Sequence, residues 1–128
     1  MLLSPLKNLS VTTKYILDSS KPKSSSSSLE ITDVTVRFVD YIKNVASCEI
    51  YSTWPETTIR ANIFCIVSFT LNRIYTEWYR SKGKNFQITS STAYDHAFNY
   101  GRNIYDSISV IVDEIFSTYV RRVGKKQP

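Results

Sequence analysis

The sequence predicts a mainly α protein of about three packed helices, over roughly residues 40–50, 54–80 and 103–122, with one or two short strands or extended segments. Two observations lead to this prediction. Apolar residues recur at helical spacing in three separate stretches. The chain of 128 residues is 42% apolar, which is enough for one modest core. We therefore expect a single compact unit.

Residues 1–30 are interpreted as a flexible, disordered arm, residues 31–123 as the folded domain and residues 124–128 as a basic tail. The arm is rich in serine, and the run at 24–28 directly follows Lys-Pro-Lys at 21–23. Little in it repeats with a structural period. Such a segment buries too little apolar surface to offset the backbone entropy that folding would cost.

The first structural element follows this arm. Partial alternation of apolar and polar residues over 29–39 predicts a short strand or an extended lead-in. Asp40 is the expected N-cap of the first helix, since its carboxylate can accept from the free amides of the first turn. Projected at about 100° per residue, Glu49 falls with Phe38, Ile42 and Val45 on the stripe that should face the core.

The second helix has a marked start. Residues 53–56, Thr-Trp-Pro-Glu, are interpreted as a capping box with Thr53 as the N-cap and Glu56 closing it. The middle of this helix is apolar on nearly every side, which is typical of a central helix packed on several sides. Gly83 is the expected left-handed residue where the helix ends.

The remaining segments follow the same reasoning. Residues 85–101 are predicted to be irregular or to hold a short strand over the helices. The last helix is predicted to open near Asn103, with Asp106 in its first turn, and to stop at Gly124.

Charge argues against a nucleic-acid partner. The chain has 16 basic and 11 acidic residues, a net charge of +5. The excess lies in residues 1–30 and 121–128, because residues 31–120 hold eight basic and nine acidic residues. A near-neutral domain has no continuous positive face for a phosphate backbone.

Composition also bears on metals, cofactors and membranes. Cys48, Cys65 and the single histidine, His96, do not complete a common zinc site, and neither a metal nor a cofactor is predicted. Both cysteines are expected to be small core hydrophobes. The longest strongly apolar uncharged run has 12 residues, against the roughly 20 that a transmembrane helix needs. No signal peptide is evident, so the localisation stays open.

Glu49 is the candidate for chemistry. A carboxylate on an apolar stripe must be paired, hydrogen-bonded or kept protonated, because burial disfavours its charge. A glutamic acid held near neutrality is what general-acid catalysis needs. The alternative is that Glu49 lies at the edge of the stripe and pairs with Arg60 or another base.

Five stretches together resemble a known family. Residues 40–50 (DYIKNVASCEI), 54–56 (WPE) and 59–62 (IRAN) resemble the signature of the stage II sporulation protein D (SpoIID/LytB) family. Residues 68–80 (SFTLNRIYTEWYR) and 88–95 (ITSSTAYD) are similar to clostridial members described as peptidoglycan-binding proteins. The order and spacing of these stretches carry the resemblance, over roughly residues 34–123.

The resemblance implies a lytic transglycosylase-like domain of the cell wall or of sporulation, with peptidoglycan glycan strands as its substrate. The glutamate matching Glu49 would protonate the glycosidic oxygen and then take the proton from the muramic C6 hydroxyl, closing a 1,6-anhydro ring. One carboxylate suffices because the substrate supplies the nucleophile. The expected substrate-binding residues are Tyr94, Asp95, His96, Tyr100 and Arg102. For His96 and the aromatic residues Tyr94, Phe98 and Tyr100, the alternative is that they fill the helix core.

Two departures from the family pattern bear on activity. Val67 stands where the family commonly has arginine, and the chain ends before a Cys-containing segment and an S-Q-x-G motif. The sequence is therefore interpreted as a C-terminally truncated member, in which truncation is a reason for inactivity. The alternative function is a non-catalytic peptidoglycan-binding or partner-binding helical module. A third hypothesis is a structural protein that self-associates through an exposed apolar face.

Overall fold

The computed structural model describes residues 9–16 and 31–116. Its elements are strands β1 (Ser10–Ile16) and β2 (Ile31–Arg37), helices α1 (Phe38–Glu49) and α2 (Glu56–Tyr75), the short strand β3 (Ile88–Thr89) and helix α3 (Asp106–Ile115). A 3-10 turn spans Arg80–Lys82. This is an α+β fold of three helices and a three-stranded mixed sheet, so the prediction of a mainly α protein is wrong.

The central strand of the sheet lies in the segment that was predicted to be a flexible arm. The strand order is β2-β1-β3, with β1 antiparallel to β2 and parallel to β3. Val11 pairs with Val36, and Thr13 pairs with Ile88. The arm prediction is therefore wrong for Ser10–Ile16. The other residues of the predicted arm, and the predicted basic tail, lie outside the described residues.

Sequence reasoning missed β1 because the polar Thr13 stands between Val11 and Tyr15 on the face that packs against the core. Val11 and Thr13 are both fully buried, while Thr12 between them is partly exposed. This is the period of two that a strand imposes, but it is short and threonine obscures it. The backbone N–H and C=O groups of such a segment find hydrogen-bond partners only when it pairs with β2 and β3. The strand predicted over 29–39 is confirmed as β2.

Both predicted helix caps are replaced by other contacts. α1 begins at Phe38, with no side-chain cap, and Asp40 instead accepts from Arg37 Nε at 2.8 Å. α2 begins at Glu56, where Pro55 is the N-cap and its carbonyl accepts from two amides of the first turn. The capping box at Thr53 is therefore wrong. Glu56 pairs with Arg60 one turn along the helix, at 2.8 Å.

α2 ends at Tyr75, five residues before the predicted end. The Glu77 amide donates to the Ile74 carbonyl and the Trp78 amide to the Arg73 carbonyl, which together form a Schellman motif. Glu77 takes the left-handed position with φ of 51°. The predicted left-handed Gly83, with φ of 83°, closes the 3-10 turn instead.

The core is one cluster shared by the sheet and the helices. α1 contacts both other helices as well as β1 and β2, so the central helix is α1 and not α2 as predicted. α2 buries one face, which includes Ile59, Ile63 and Val67, and leaves Cys65 exposed. The expectation that Cys65 is a core hydrophobe is therefore wrong, and Cys48 is half-buried. The last helix is confirmed, with Asp106 in its first turn, but it begins at Asp106 and not near Asn103. Its predicted end at Gly124 lies outside the described residues.

Candidate functional site

Glu49 is the last residue of α1, and its side chain is exposed. The next residue, Ile50, has extended backbone angles and is buried. The helical projection that placed Glu49 on the core-facing stripe is therefore wrong, because α1 ends at this residue and Ile50 turns into the core in its place. Glu49 lies instead at the rim of a surface cleft.

The carboxylate of Glu49 has a defined partner. Its Oε2 accepts a hydrogen bond from the Ala97 amide at 2.9 Å. The pairing with Arg60 considered from the sequence is absent, because Arg60 contacts Glu56 at 2.8 Å and Glu114 at 2.9 Å. Glu49 thus attaches the segment after β3 to the end of α1.

Two further polar side chains of α1 hold the same segment. Asn44 Nδ2 donates to the Asn99 carbonyl at 2.9 Å, and the Asn99 amide donates to Asn44 Oδ1 at 3.0 Å. Ser47 Oγ accepts from the Tyr105 amide at 3.3 Å. Residues 97–105 contain no helix or strand, so their backbone groups need such partners. Sequence reasoning missed Asn44 and Ser47, although polar residues on a mostly buried helix face are a signal of this role.

Two clefts lie along α1, one at each side of Arg102. The first, of about 210 Å³, is lined by Glu49, Tyr51, Arg102 and Tyr105 together with residues 47, 48 and 50. The second, of about 230 Å³, is lined by residues that include Asp40, Lys43, Asn44, Tyr100 and Arg102. We call the two clefts together the α1 groove. Its lining residues on α1 run from Asp40 to Glu49, ten residues that correspond to about 15 Å of helix.

Arg102 lines both clefts and is half-buried. Its Nε donates to the Asn103 carbonyl at 2.8 Å, and its guanidinium carbon lies 5.3 Å from the centre of the Tyr105 ring. Burial lowers the pKa of Arg102, but contacts with Cys48 and Tyr105 outweigh it, so the pKa is raised above its ordinary value. The side chain is therefore a fixed positive charge where the two clefts meet.

Asp95 lies in a buried network away from the groove. Its side chain has no exposed surface, and it accepts from Arg73 Nε at 2.8 Å and from the Tyr79 hydroxyl at 2.5 Å. The amide and hydroxyl of Thr89 also donate to it, at 3.1 and 2.6 Å. These four hydrogen bonds join α2, the turn after it and β3 to the segment that holds Asp95. The carboxylate of Asp95 is therefore engaged by hydrogen-bond donors of the same chain.

His96 is also buried, with 8% of its surface exposed. Its ring lies 4.7 Å from that of Phe69, and its Nδ1 has no hydrogen-bond partner among the described residues. Burial lowers the pKa of His96 to about 4, the nearby Asp95 raises it and Arg73 lowers it. The imidazole is therefore neutral at pH 7. This position agrees with the alternative in which His96 fills the core.

The aromatic residues of the segment divide between surface and core. Tyr94 and Tyr100 are 73% and 59% exposed, and Phe98 is buried against Tyr41 with the rings 5.4 Å apart. Tyr100 lines the second cleft and Tyr94 lines neither. Of the six residues predicted for the site, the groove brings together Glu49, Tyr100 and Arg102. Sequence reasoning missed Tyr51 and Tyr105. Both are exposed in the structure, and no motif or periodicity in the sequence marks them.

Comparisons with known proteins identify no relative: no protein-family model, curated protein or solved structure matches the chain. Among the described residues, no helix has the length and apolar character that crossing a membrane requires. The same residues hold no group of three histidine, cysteine or acidic side chains that could bind a metal ion. The fold and site define an α+β domain with a polar, aromatic-lined surface groove.

Proposed function

We propose that this protein is a peptidoglycan-binding module that holds a glycan strand in the α1 groove. The observation that carries the proposal is that a carboxylate (Glu49), a guanidinium (Arg102) and two exposed tyrosines (Tyr51 and Tyr105) line one open cleft. Charged planar groups bind sugar hydroxyl and acetamido groups, and tyrosine rings offer an apolar face with a polar edge. The family resemblance supplies the choice of peptidoglycan among glycans.

The shape of the groove supports a polymer as the ligand. Both clefts, of about 210 and 230 Å³, are smaller than the roughly 300–1,000 Å³ of pockets that enclose a small molecule. They follow one another along about 15 Å of α1. Two small open clefts in line suit a strand that lies across the surface and contacts each of them.

The surroundings of Glu49 favour binding over turnover. A glutamic acid that acts as general acid depends on a dry apolar pocket that keeps it protonated. Glu49 is instead exposed, and its Oε2 accepts a hydrogen bond from the Ala97 amide. Glu49 therefore serves in this proposal as a hydrogen-bond acceptor for the strand and as an anchor for Ala97.

A lytic transglycosylase is the second candidate, and one observation favours it. The hydrogen bond from the Ala97 amide holds the Glu49 side chain in the cleft that Arg102 and Tyr105 also line, so the carboxylate is oriented where a strand would lie. In this reading Glu49 gives its proton to the glycosidic oxygen as that bond breaks. It then takes the proton of the muramic C6 hydroxyl as the 1,6-anhydro bond forms.

One experiment tests both candidates. Purified protein is sedimented with isolated sacculi, and the soluble products are analysed for 1,6-anhydro sugars between pH 4 and 8. For the binding module we expect co-sedimentation of the wild type and of Glu49→Gln, without anhydro products. Products from the wild type but not from Glu49→Gln would establish the transglycosylase instead.

Two tyrosine variants locate the binding surface. Tyr105→Ala removes a ring of the first cleft and should weaken co-sedimentation, whereas Tyr75→Ala removes an exposed ring of α2 that lines neither cleft and should not. A wild-type protein that does not sediment with sacculi and forms no products would refute both candidates. Equal loss in the two tyrosine variants would refute the α1 groove as the binding surface.

A further inference from the structure

We propose that Arg102 binds a carboxylate of the glycan strand, where the two clefts of the α1 groove meet. This inference rests on the proposed function and deepens it by assigning an acidic group of the ligand to a particular residue. Two sources carry this chemistry: the lactyl carboxylate of muramic acid and the carboxylate of an attached peptide.

Pairing singles out Arg102 among the partly buried arginines. The other two each contact a carboxylate at 2.8 Å: Arg60 contacts Glu56 and Arg73 contacts Asp95. Lys14 is also partly buried and joins no ion pair of the described residues, but it lies over the Phe86 ring and lines neither cleft. Arg102 is also half-buried, yet it joins none of the ion pairs formed within residues 9–16 and 31–116. A partly desolvated charge is normally paired. Its position in the groove makes a ligand the natural source of the anion.

The guanidinium is held in place before a ligand arrives. The bond from Nε to the Asn103 carbonyl and the Tyr105 ring fix its plane. Arginine has five N–H donors, so this bond leaves its terminal nitrogens to serve other acceptors. The side-chain acceptors beside it, on Cys48 and Tyr105, are uncharged when protonated. A carboxylate is a stronger acceptor than either and matches the planar fork of the guanidinium.

The surrounding charges limit the ligand anion to a single charge. Asp40 lines the second cleft and Glu49 the first, so acidic groups flank Arg102 on both sides. The charge of Lys43 is already balanced by Asp113. Asp40 is itself paired with Arg37 at 2.8 Å, so the single positive charge of Arg102 can still accept a monoanion. The two flanking carboxylates would repel a phosphate dianion or a polyanion more strongly.

Calorimetric titration with three soluble probes tests the assignment. The probes are the disaccharide of N-acetylglucosamine and N-acetylmuramic acid, the same disaccharide with its lactyl group as a carboxamide, and the disaccharide bearing an L-alanyl-D-isoglutamine peptide. Only the first has a sugar carboxylate, and only the third has a peptide carboxylate. We expect the wild type to bind one of the acidic probes about tenfold more tightly than the carboxamide.

Three variants identify Arg102 as the cause. Arg102→Gln should lose the tenfold preference and keep the affinity for the carboxamide, which shows that the groove is intact. Arg102→Lys should restore part of the preference, because it keeps the charge but not the planar fork. Arg80→Gln makes the same change at an exposed arginine of the 3-10 turn, and should keep the full preference.

The outcomes separate this inference from the proposed function. Tighter binding of the first or the third probe supports the inference and assigns the carboxylate to the sugar or to the peptide. Equal affinity of the wild type for all three probes overturns the inference alone. A preference that persists in Arg102→Gln also overturns it. Binding of neither the probes nor sacculi overturns the proposed function, and the inference with it.

Discussion

Acidification should destabilise the protein through His96. The imidazole is buried, packs on Phe69 and has an Nδ1 without a partner in the described part of the chain. Protonation would place a positive charge in this position, near the charge of Arg73, which already lowers the pKa. The unfolded chain binds the same proton without that cost. Folding and protonation of His96 therefore oppose each other.

The size of the effect follows from the two pKa values. The pKa is about 4 in the folded protein and 6.5 for an ordinary histidine. Because the folded pKa is the lower one, the stability is fully present above pH 6.5 and is lost as the pH falls towards 4. At about 1.36 kcal/mol per pKa unit, the loss is roughly 2 kcal/mol by pH 5 and roughly 3 kcal/mol by pH 4.

Urea unfolding of the wild type and of His96→Gln, at intervals from pH 7.5 to pH 4.5, measures this loss. Glutamine carries no charge at any of these pH values, so the difference between the two curves isolates His96 from the other titrating groups. We expect the free energy of unfolding of the wild type to fall by about 2 kcal/mol more than that of the variant between pH 7.5 and 5. His96→Leu serves as a second uncharged reference. Wild-type and variant curves that stay parallel over this range would refute the reasoning.

Three further predictions concern the contacts that support the groove. Asp95→Ala should lower the free energy of unfolding in urea by about 3 kcal/mol, because the buried charge of Arg73 then has no carboxylate to balance it. Arg73→Met in the same chain should recover part of the loss. Asn44→Ala should cost about 1–2 kcal/mol and weaken sacculus binding, since it releases both backbone groups of Asn99; unchanged binding would contradict this. Glu77→Gly should raise the thermal midpoint through about 1 kcal/mol of relieved left-handed strain, with Glu77→Ala as the control without gain.

The helices could be predicted because their signal is local. Apolar spacing located α1, α2 and α3, and the alternation before α1 located β2. The ends were less predictable, because each depends on contacts with other segments. Asp40 and Thr53 have the residue types of N-caps, but Asp40 pairs with Arg37 and α2 starts three residues after Thr53. Residue type alone does not decide between competing partners.

The candidate site was only partly predictable for the same reason. Glu49 and Arg102 were both named from the sequence, and 53 positions separate them. What brings their segments together is the pair of hydrogen bonds between Asn44 and Asn99 and the bond from the Ala97 amide to Glu49. Asp95 was named as well, but its carboxylate accepts hydrogen bonds from α2, from the turn after it and from β3.

The amino-acid sequence by itself determined that the chain forms three helices, carries a near-neutral domain between basic ends and has a glutamate near the end of the first helix. The tertiary structure decided that Ser10–Ile16 is the centre of a sheet and that Glu49 is exposed beside Arg102. The physical reason is distance along the chain. Helical periodicity records contacts within a few residues, whereas strand pairing, burial and cleft formation depend on segments that meet only when the chain folds.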